Sequence, residues 1–331
     1  MLPTAIVIGT VFMDCKGFSK QRYNSAGRNL GSVKFVHGGV GRNVAENMAN
    51  LRIGTVFVSS VDKTGIGKEV VHRLARTGVD VEFLLESEAR GMGIWLAIMD
   101  ETGELAGSVS QMPDLVDLEN FITERGPEFI RRSSHVILEL DLSEYITKKV
   151  MSLAQEHRRP VFGIPGNLGV ILQDIDMLAG LDCFICNDIE AGRIMGRELR
   201  DTDPGKLQEE LKKFVDGIGL ASMVITLGSA GCVYYDARSG EKGFQPIFPV
   251  TVIDTSGAGD AFFSGTVMGL IRKKPLSEAV VYGSRVASWT VQSDENTCRD
   301  LADKMAEDAV FQDLMGEIAK TAKKGFTVVS R

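Results

Sequence analysis

The chain has 331 residues, 44% of them hydrophobic, which is enough for one large α/β domain over residues 1–331. Its formal net charge of −7 provides no cationic field that would attract nucleic acid or an anionic membrane. No apolar run approaches the ~20 residues that span a bilayer. We therefore expect neither nucleic acid nor a membrane among its partners.

The N-terminal segment and the cysteines both indicate a cytoplasmic protein. Residues 4–9 are mostly apolar and predict a buried first strand, and no basic leader of a signal peptide precedes them. The five cysteines are scattered and odd in number, with no N-x-S/T glycosylation site, which is typical of a reducing compartment. Cys183 and Cys186 have C-x-x-C spacing. Without a second cysteine pair or grouped histidines, they are expected to be buried core thiols.

Strand-like and helix-like runs alternate along most of the chain. This alternation predicts a three-layer, Rossmann-like α/β fold, with a mostly parallel sheet covered by helices on both faces. The predicted strands are residues 4–9, 55–61, 135–140, 160–164, 183–186 and 223–227, and the predicted helices are residues 41–51, 67–77, 144–156 and 204–217. Residues 300–324 predict a charged amphipathic helix on the surface.

Two segments interrupt this alternation. Residues 12–36 are polar and glycine-bearing and end in an alternating strand, whereas residues 91–112 predict a β-hairpin. Pairing of their strands would form a small sheet outside the main layer, with an apolar face that needs covering. The alternative is that both segments decorate the edge of the main sheet.

The strongest functional signal is the stretch from residue 254 to residue 260, with the sequence D-T-S-G-A-G-D. It lies between a strand-like apolar run, 247–253, and a helix-like apolar run. A strand, a glycine turn and a helix bind anions, because free N–H groups of the first helical turn point at the ligand. Gly257 and Gly259 permit close backbone approach. Asp260 either stabilises the helix N-terminus by its interaction with the helix dipole, or acts as the general base for a hydroxyl that attacks phosphorus.

A second glycine-rich turn has the sequence G-G-V-G-R-N. Gly38, Gly39 and Gly41 allow a tight backbone approach, and Asn43 on the first helical turn can donate and accept hydrogen bonds. Asp14 follows the first strand and is expected at the carboxyl end of a central strand, where ligands of such sheets bind. A carboxylate there can accept hydrogen bonds from two vicinal hydroxyls of a ribose. The alternative is that the glycines only form a helix-entry turn, which Asn43 caps.

Both motifs resemble signatures of one enzyme family. D-T-S-G-A-G-D-A-F-F-S-G is similar to the C-terminal signature of the ribokinase-like (phosphofructokinase-B) sugar and nucleoside kinases, and G-G-V-G-R-N-V-A is similar to their N-terminal signature. The two lie in the family's order and at roughly its spacing, so the resemblance covers nearly the whole chain. It implies ATP-dependent phosphoryl transfer to a hydroxyl of a ribose-type ligand, with Asp260 as the base. The N–H groups of Gly257, Ala258 and Gly259 would stabilise the transferring group.

The resemblance also implies a lid, metal contacts and nucleotide contacts. The small sheet would be a lid over the sugar site and a surface for homodimer formation. Asn187 and Glu190 match the family's N-x-x-E element, which holds the water shell of Mg²⁺. The alternative is that Asn187 caps a helix whose first turn is acidic. Asp254 lies where related kinases hold a monovalent cation, so K⁺ activation is a further expectation.

On the nucleotide side, four residues are carried over from the family's pattern. Thr226, Gly228 and Gly231 match the segment in which a glycine turn lets a strand end lie against ATP. Asn296 lies where family members line the adenine pocket.

Substrate choice is the finer question. The residues around Arg42 and the segment 233–241 are most similar to the pseudouridine kinases of this family, which implies that pseudouridine is converted to pseudouridine 5′-phosphate. Arg42 either reaches a base carbonyl or a phosphate, or stands on the surface at the helix start. Ile164 departs from the family, which commonly has Asp before the following proline. Glu139 or Asp141 is expected to replace that carboxylate.

Two alternatives remain open. Ribokinase or another sugar or nucleoside kinase belongs to the same class. A catalytically silent nucleoside-binding sensor is favoured by Ile164 and disfavoured by Asp260. P-loop and dinucleotide-binding enzymes lack their motifs, since neither G-x-x-x-x-G-K-[ST] nor a G-x-G-x-x-G after the first strand occurs.

Overall fold

Strands and helices alternate over most of the backbone. A computed structural model describes residues 3–318, with the exception of 89, 141 and 201. Numbered in chain order, the helices are α1 Val40–Asn50, α2 Gly65–Arg76, α3 Val116–Arg132, α4 Glu144–Glu156, α5 Asp188–Ile194, α6 Pro204–Ile218, α7 Ala258–Ile271, α8 Leu276–Thr290 and α9 Leu301–Glu307. Short 3₁₀ turns occupy Ile175–Gly180, Gly228–Ala230 and Ala309–Phe311.

The main sheet forms the middle layer. Its strands are β1 Thr4–Ile8, β4 Gly54–Asp62, β5 Leu84–Ser87, β8 His135–Glu139, β9 Val161–Ile164, β10 Cys183–Asn187, β11 Ser222–Thr226, β12 Cys232–Asp236 and β13 Glu241–Gln245. The spatial order is β13-β12-β11-β10-β9-β8-β1-β4-β5. Neighbours from β11 to β5 are parallel, whereas β12 and β13 are added antiparallel. The carboxyl ends of the parallel strands therefore meet at one edge.

Two hydrophobic cores cover the two faces of this sheet. Side chains alternate along β1, so that Ala5 and Val7 enter one core and Ile6 and Ile8 enter the other. Helices α1, α2, α7, α8 and α9 pack on the first face, and α3 to α6 pack on the second. The three-layer α/β fold expected from the sequence is confirmed. The predicted strands and helices are present with ends shifted by a residue or two, except for residues 247–253 and the C-terminal tail. Cys183 and Cys186 are free, buried thiols.

A second, small sheet stands apart from the main one. It consists of β2 Phe12–Ser19, β3 Gly31–Gly38, β6 Gly93–Met99 and β7 Leu105–Gln111, in the order β3-β2-β6-β7. The hairpin and the small sheet are confirmed, and decoration of the main sheet's edge is wrong. The sequence did not predict the strand β2. Asp14 therefore lies on β2 in the small sheet, and not at the carboxyl end of a central strand as expected.

Two predicted elements differ in the structure. Residues 247–253 do not form a strand, although their apolar pattern predicts one. Their apolar side chains line a cavity instead, and alternation alone does not distinguish this use from strand pairing. The C-terminal tail breaks after α9, and Phe311 is buried against Tyr282 and Trp289 with ring centroids 5.0 and 5.5 Å away, so this part is not a plain surface helix. Residues 319–324 of that prediction lie outside the described residues.

Candidate active site

The glycine turn before α7 presents backbone donors. Gly257 has φ 76° and ψ 0°, a left-handed conformation that favours glycine. A Cβ atom there would also clash with the carbonyl oxygen of Asn296. The N–H of Ala258 donates to the carbonyl oxygen of Thr255 at 3.2 Å. It is therefore engaged, although the sequence analysis expected it to be free for the transferring group. Within the described part of the chain, the N–H groups of Gly257, Gly259 and Asp260 donate no hydrogen bond. These three groups are therefore available for an anion.

Asp260 lies on the first turn of α7 and contacts the first glycine motif directly. The Nδ2 atom of Asn43 donates to its Oδ2 atom at 2.7 Å. The pKa of Asp260 is raised to about 7, chiefly by burial and also by the nearby carboxylates of Glu139 and Glu190, against the opposing influence of Asn43 and Arg42. A carboxylate with a pKa near neutrality is suited to accept and return a proton.

The first glycine turn brings the start of α1 against the end of β1. Gly39 has φ 94°, and a Cβ atom at Gly41 would lie 2.5 Å from the Cα atom of Gly9. A Cβ atom at Gly38 would lie 2.7 Å from the Oδ1 atom of Asp14. The glycines thus form the helix-entry turn, and they also let α1 approach both β1 and the carboxylate of Asp14.

Arg42 does not have either of the positions expected for it. Its side chain is 1% exposed. Its Nη1 atom donates to Glu46 at 2.9 Å, and the guanidinium also donates to the carbonyl oxygens of His37 and Gly38. A buried, fully engaged guanidinium fits neither a substrate contact nor a surface position. Arg42 instead fixes the loop that connects β3 to α1.

Asn296, predicted as an adenine contact, lies beside Asp14 of the small sheet. Its Nδ2 atom donates to Asp14 Oδ2 at 3.3 Å and to the carbonyl oxygen of His37 at 3.1 Å. Burial raises the pKa of Asp14, and the hydrogen bond from Asn296 opposes that shift. Asn296 also packs against Gly257. It therefore connects Asp14 to the glycine turn at residues 254–260, the anion turn.

Lys16 was missed in the sequence. It lies on β2 two residues beyond Asp14, and its ammonium is 3.3 Å from Ser256 Oγ and 3.5 Å from Asp254 Oδ2. Ser256 N in turn donates to Asp254 Oδ1 at 2.8 Å. The signal in the sequence was the D-x-K spacing, but it has meaning only once residues 12–19 are known to be a strand.

Glu139 on β8 lies beside Ile164, the position at which an aspartate was expected from the family's pattern. It is paired in register with Ile164, and it accepts hydrogen bonds from Thr10 N at 2.7 Å and Gly41 N at 3.1 Å. These bonds join the end of β1 to the start of α1. Glu139 thus supplies a carboxylate to this region, while Asp141 lies outside the described residues.

A mostly apolar cavity of about 290 Å³ adjoins the N-terminus of α7. It lies beside the glycine turn and has the mostly apolar lining that suits a flat heteroaromatic ring. Its walls include Thr226, Gly228, Gly231, Ile247, Phe248, Val250, Val252, Ala258, Gly259, Phe262, Ala287 and Ser288. The structure thus gathers Thr226, Gly228 and Gly231 at one cavity, as the sequence suggested.

Asn187 and Glu190 form a reciprocal helix cap at the start of α5. Asn187 Oδ1 accepts from Glu190 N at 2.8 Å, and Glu190 Oε2 accepts from Asn187 N at 2.9 Å. The capping alternative is therefore correct, and it does not conflict with holding metal-bound water. Glu190 also lies close enough to Asp260 to raise its pKa. Among the described residues, no group of three or more His, Cys, Asp or Glu side chains could hold a metal ion directly.

Comparison with known proteins identifies the family. The model of the pfkB family carbohydrate kinases matches residues 3–300 of the chain. The chain belongs to this family. The chain is 35% identical to a guanosine-inosine kinase of Exiguobacterium acetylicum over 291 residues, which are 88% of this chain and 95% of the relative. It is 27% identical to the pseudouridine kinase of Escherichia coli over 304 residues, 90% and 93% of the two chains.

Solved structures agree with the fold of this pfkB kinase. Arabidopsis thaliana ribokinase, solved in complex with ribose and ATP, superposes with a TM-score of 0.78. The match covers 93% of this chain and 100% of that chain at 19% identity, which supports the common fold. No helix in the described part of this pfkB chain has the length and apolar character needed to cross a bilayer.

Proposed function

We propose that this pfkB kinase transfers the γ-phosphoryl group of ATP to the 5′-hydroxyl of a ribonucleoside. The observation that carries the proposal is the 2.7 Å hydrogen bond between Asn43 and Asp260, which joins the two glycine motifs at one site. Asp14 lies on the other side of the first motif, against Gly38. A hydroxyl-binding carboxylate, a base and an anion turn therefore surround one small region.

The proposed mechanism assigns each group one task. Asp14 and Asn43 bind the ribose hydroxyls, and Asp260 accepts the proton of the attacking hydroxyl. The substrate oxygen forms a bond to the γ-phosphorus while the bond from that phosphorus to the β,γ-bridging oxygen breaks, and its electron pair leaves with ADP. The N–H groups of Gly257 and Gly259 stabilise charge on the transferring group. Ala258 N–H contributes if its turn bond opens.

The substrate is proposed to be a purine ribonucleoside, guanosine or inosine, before pseudouridine. The greater similarity to the guanosine-inosine kinase supports this order over the one expected from the motifs. The small sheet supports a nucleoside over free ribose. Trp95 on β6 is in register with Asp14 on β2, so both side chains project from the same face of that sheet. An indole beside the ribose-binding carboxylate can pack against a base.

Metal contacts are also part of the proposal. Asn187 and Glu190 offer the oxygen atoms that Mg²⁺ prefers, and they would hold the ion through water. When bound with ATP, Mg²⁺ neutralises phosphate charge. Asp254 would bind a monovalent cation, but the Lys16 ammonium competes for this carboxylate. We therefore propose K⁺ as an accessory rather than a required cation. The free cysteines and acidic surface support a cytoplasmic location.

An ADP-release assay with a panel of acceptors tests the function. The panel contains guanosine, inosine, adenosine, pseudouridine, uridine and ribose, and Asp260→Asn prepared in parallel controls for contaminating kinases. We expect ADP release with a purine ribonucleoside, at a rate well above that with ribose. Nucleoside binding without ADP release would instead support the sensor alternative, and turnover of ribose alone would support a ribokinase.

The pH dependence of the reaction follows from the pKa of Asp260. This group must be deprotonated to act as a base, and its pKa is raised to about 7. We therefore expect kcat/KM for the nucleoside to be constant above about pH 8 and to fall roughly tenfold per pH unit below about pH 6. Glu139→Gln removes a charge that raises this pKa, so its acidic limb should move to lower pH. A flat wild-type profile between pH 5.5 and 8 would contradict the base assignment.

The outer face of the small sheet is proposed to bind a second copy of the chain. Phe35, Cys15, Leu96 and Val109 form one row across the four strands, and Phe35 and Val109 are 62% and 68% exposed. An exposed apolar row of this kind is typical of an interface. We expect light scattering to report a dimer for the wild type and a monomer for Phe35→Asp/Val109→Asp. Val116→Asp, at an exposed position of α3, is the matched control, and a wild-type monomer would overturn the proposal.

A further inference from the structure

Lys16 reaches from the small sheet to the anion turn. Its side chain is 11% exposed, which is unusual for a lysine, and its ammonium contacts Ser256 Oγ at 3.3 Å and Asp254 Oδ2 at 3.5 Å. The two partners lie one and three residues before Gly257, whose N–H is one of the free donors of the turn. A positive charge is therefore held next to the place where the turn would receive an anion.

The region around this ammonium is rich in carboxylates. Each of four carboxylates contacts one of the two glycine turns. Gly41 donates to Glu139, Asn43 to Asp260 and Ser256 to Asp254, and Gly38 lies against Asp14. A phosphoryl donor entering here would be repelled unless cations offset these charges. The nearby guanidinium of Arg42 lowers the pKa of Asp260 but is engaged by Glu46 and two backbone carbonyls, so it does not reach the turn to bind an anion.

The strand β2 gives Lys16 a defined relation to the acceptor. Asp14 and Lys16 are two residues apart on one strand, so their side chains project from the same face, and their Cα atoms are about 6.5 to 7 Å apart. Asp14 lies at the hydroxyl-binding turn and Lys16 at the phosphate-binding turn. Asp14 would thus hold the ribose, while Lys16 faces the position of the phosphoryl group.

We propose that Lys16 is a catalytic residue that binds non-bridging oxygens of the transferring phosphoryl group. The inference rests on the proposed kinase function. Its present contacts are longer than the 2.7–2.9 Å typical of charge-assisted hydrogen bonds, so a phosphate is a better partner than Asp254 and Ser256. Because Lys16 belongs to the small sheet, binding of the phosphoryl group would also draw that sheet onto the reacting groups.

A simpler role for Lys16 would be to fasten the small sheet to the body of the protein. Lys34 provides a direct comparison. It is the register partner of Lys16 on β3, and its ammonium contacts Asp294 Oδ2 at 2.7 Å and the Asp294 carbonyl oxygen at 3.0 Å. This pair bridges the sheet to the body away from the anion turn, and its lysine is 40% exposed. Lys34 thus has the fastening role without the phosphate-binding position.

The experiment compares Lys16→Met with Lys34→Met and Lys16→Arg, using the nucleoside that the wild type phosphorylates best. We expect Lys16→Met to lower kcat about 10²- to 10³-fold, the effect of removing one donor to a developing anion. KM for the nucleoside should change little, Lys34→Met should retain kcat, and Lys16→Arg should recover part of the loss. Thermal unfolding of each variant establishes that the fold is intact.

A binding measurement separates phosphoryl contact from fastening. ADP with aluminium fluoride and nucleoside mimics the transferring group, and the wild type should bind this combination more tightly than ADP with nucleoside alone. Lys16→Met should lose that gain while retaining its affinity for ADP. Near-normal kcat in Lys16→Met, equal losses in the two methionine variants, or an undiminished gain from aluminium fluoride would each overturn the inference. A wild type inactive on every acceptor would instead overturn the proposed function.

Discussion

Asp260→Asn is expected to lower kcat about 10²- to 10⁴-fold, the contribution usual for a positioned general base. The amide cannot accept the hydroxyl proton, but it matches the carboxylate in shape and can still accept the hydrogen bond that Asn43 donates at 2.7 Å. KM for the nucleoside should therefore change little. Steady-state kinetics at pH 8, where the wild-type carboxylate is deprotonated, provide the measurement.

Thermal stability provides the control for Asp260→Asn. The folded pKa of about 7 lies above the ordinary value of 3.8, so the folded state binds the extra proton between these pH values. Wild-type stability should therefore fall as pH rises from about 4 to 7, and the variant should lack this contribution. At pH 8 the variant should be at least as stable as the wild type. Near-normal turnover in a stable variant would exclude Asp260 as the base.

Gly257→Ala is expected to have the second large effect. Its φ of 76° disfavours any side chain, and a Cβ atom would clash with the carbonyl oxygen of Asn296. The turn must move to relieve both, and a displacement of about 1 Å in a catalytic group can cost about 10² in rate. Because Asn296 also contacts Asp14, the acceptor side would be disturbed as well. We expect a kcat about 10²-fold lower and a reduced melting temperature.

Gly259→Ala is the matched variant within the same motif. Nothing lies within 4 Å of a Cβ atom at Gly259, and its backbone has no positive φ. Its melting temperature should therefore equal that of the wild type, whereas KM for ATP should rise because the new methyl group faces the cavity beside the turn. Equal melting temperatures for both alanine variants would show that Gly257 carries no conformational constraint.

The layered fold was predictable because hydrophobic alternation and turn residues report burial directly. Residues 247–253 show the limit of that signal. Their apolar side chains are needed at a cavity wall, and the sequence pattern is the same as that of a strand paired in a sheet. The strand β2 was missed because Gly17 lies in its interior and the charged residues Asp14 and Lys16 interrupt its apolar side chains, a composition that is typical of a loop.

Single residues of the site were predictable where a motif fixes the backbone, and were not where a contact depends on distant parts of the chain. Asp260 and Asn43 lie on the first turns of two helices whose glycine entries are visible in the sequence. Asn296 depends on Asp14, 282 positions away, and Arg42 pairs with Glu46, which Thr297 contacts from 251 positions away. Lys16 depends on a contact across 240 positions. Sequence spacing does not specify such contacts.

A structure of the protein with its nucleoside and a non-hydrolysable ATP analogue tests the central claim most directly. We predict that the 5′-oxygen lies about 3 Å from a carboxylate oxygen of Asp260. The γ-phosphorus should lie at the N–H groups of Gly257 and Gly259, in line with that oxygen. A nucleoside bound away from Asp260, or a γ-phosphate distant from the turn before α7, would contradict the account.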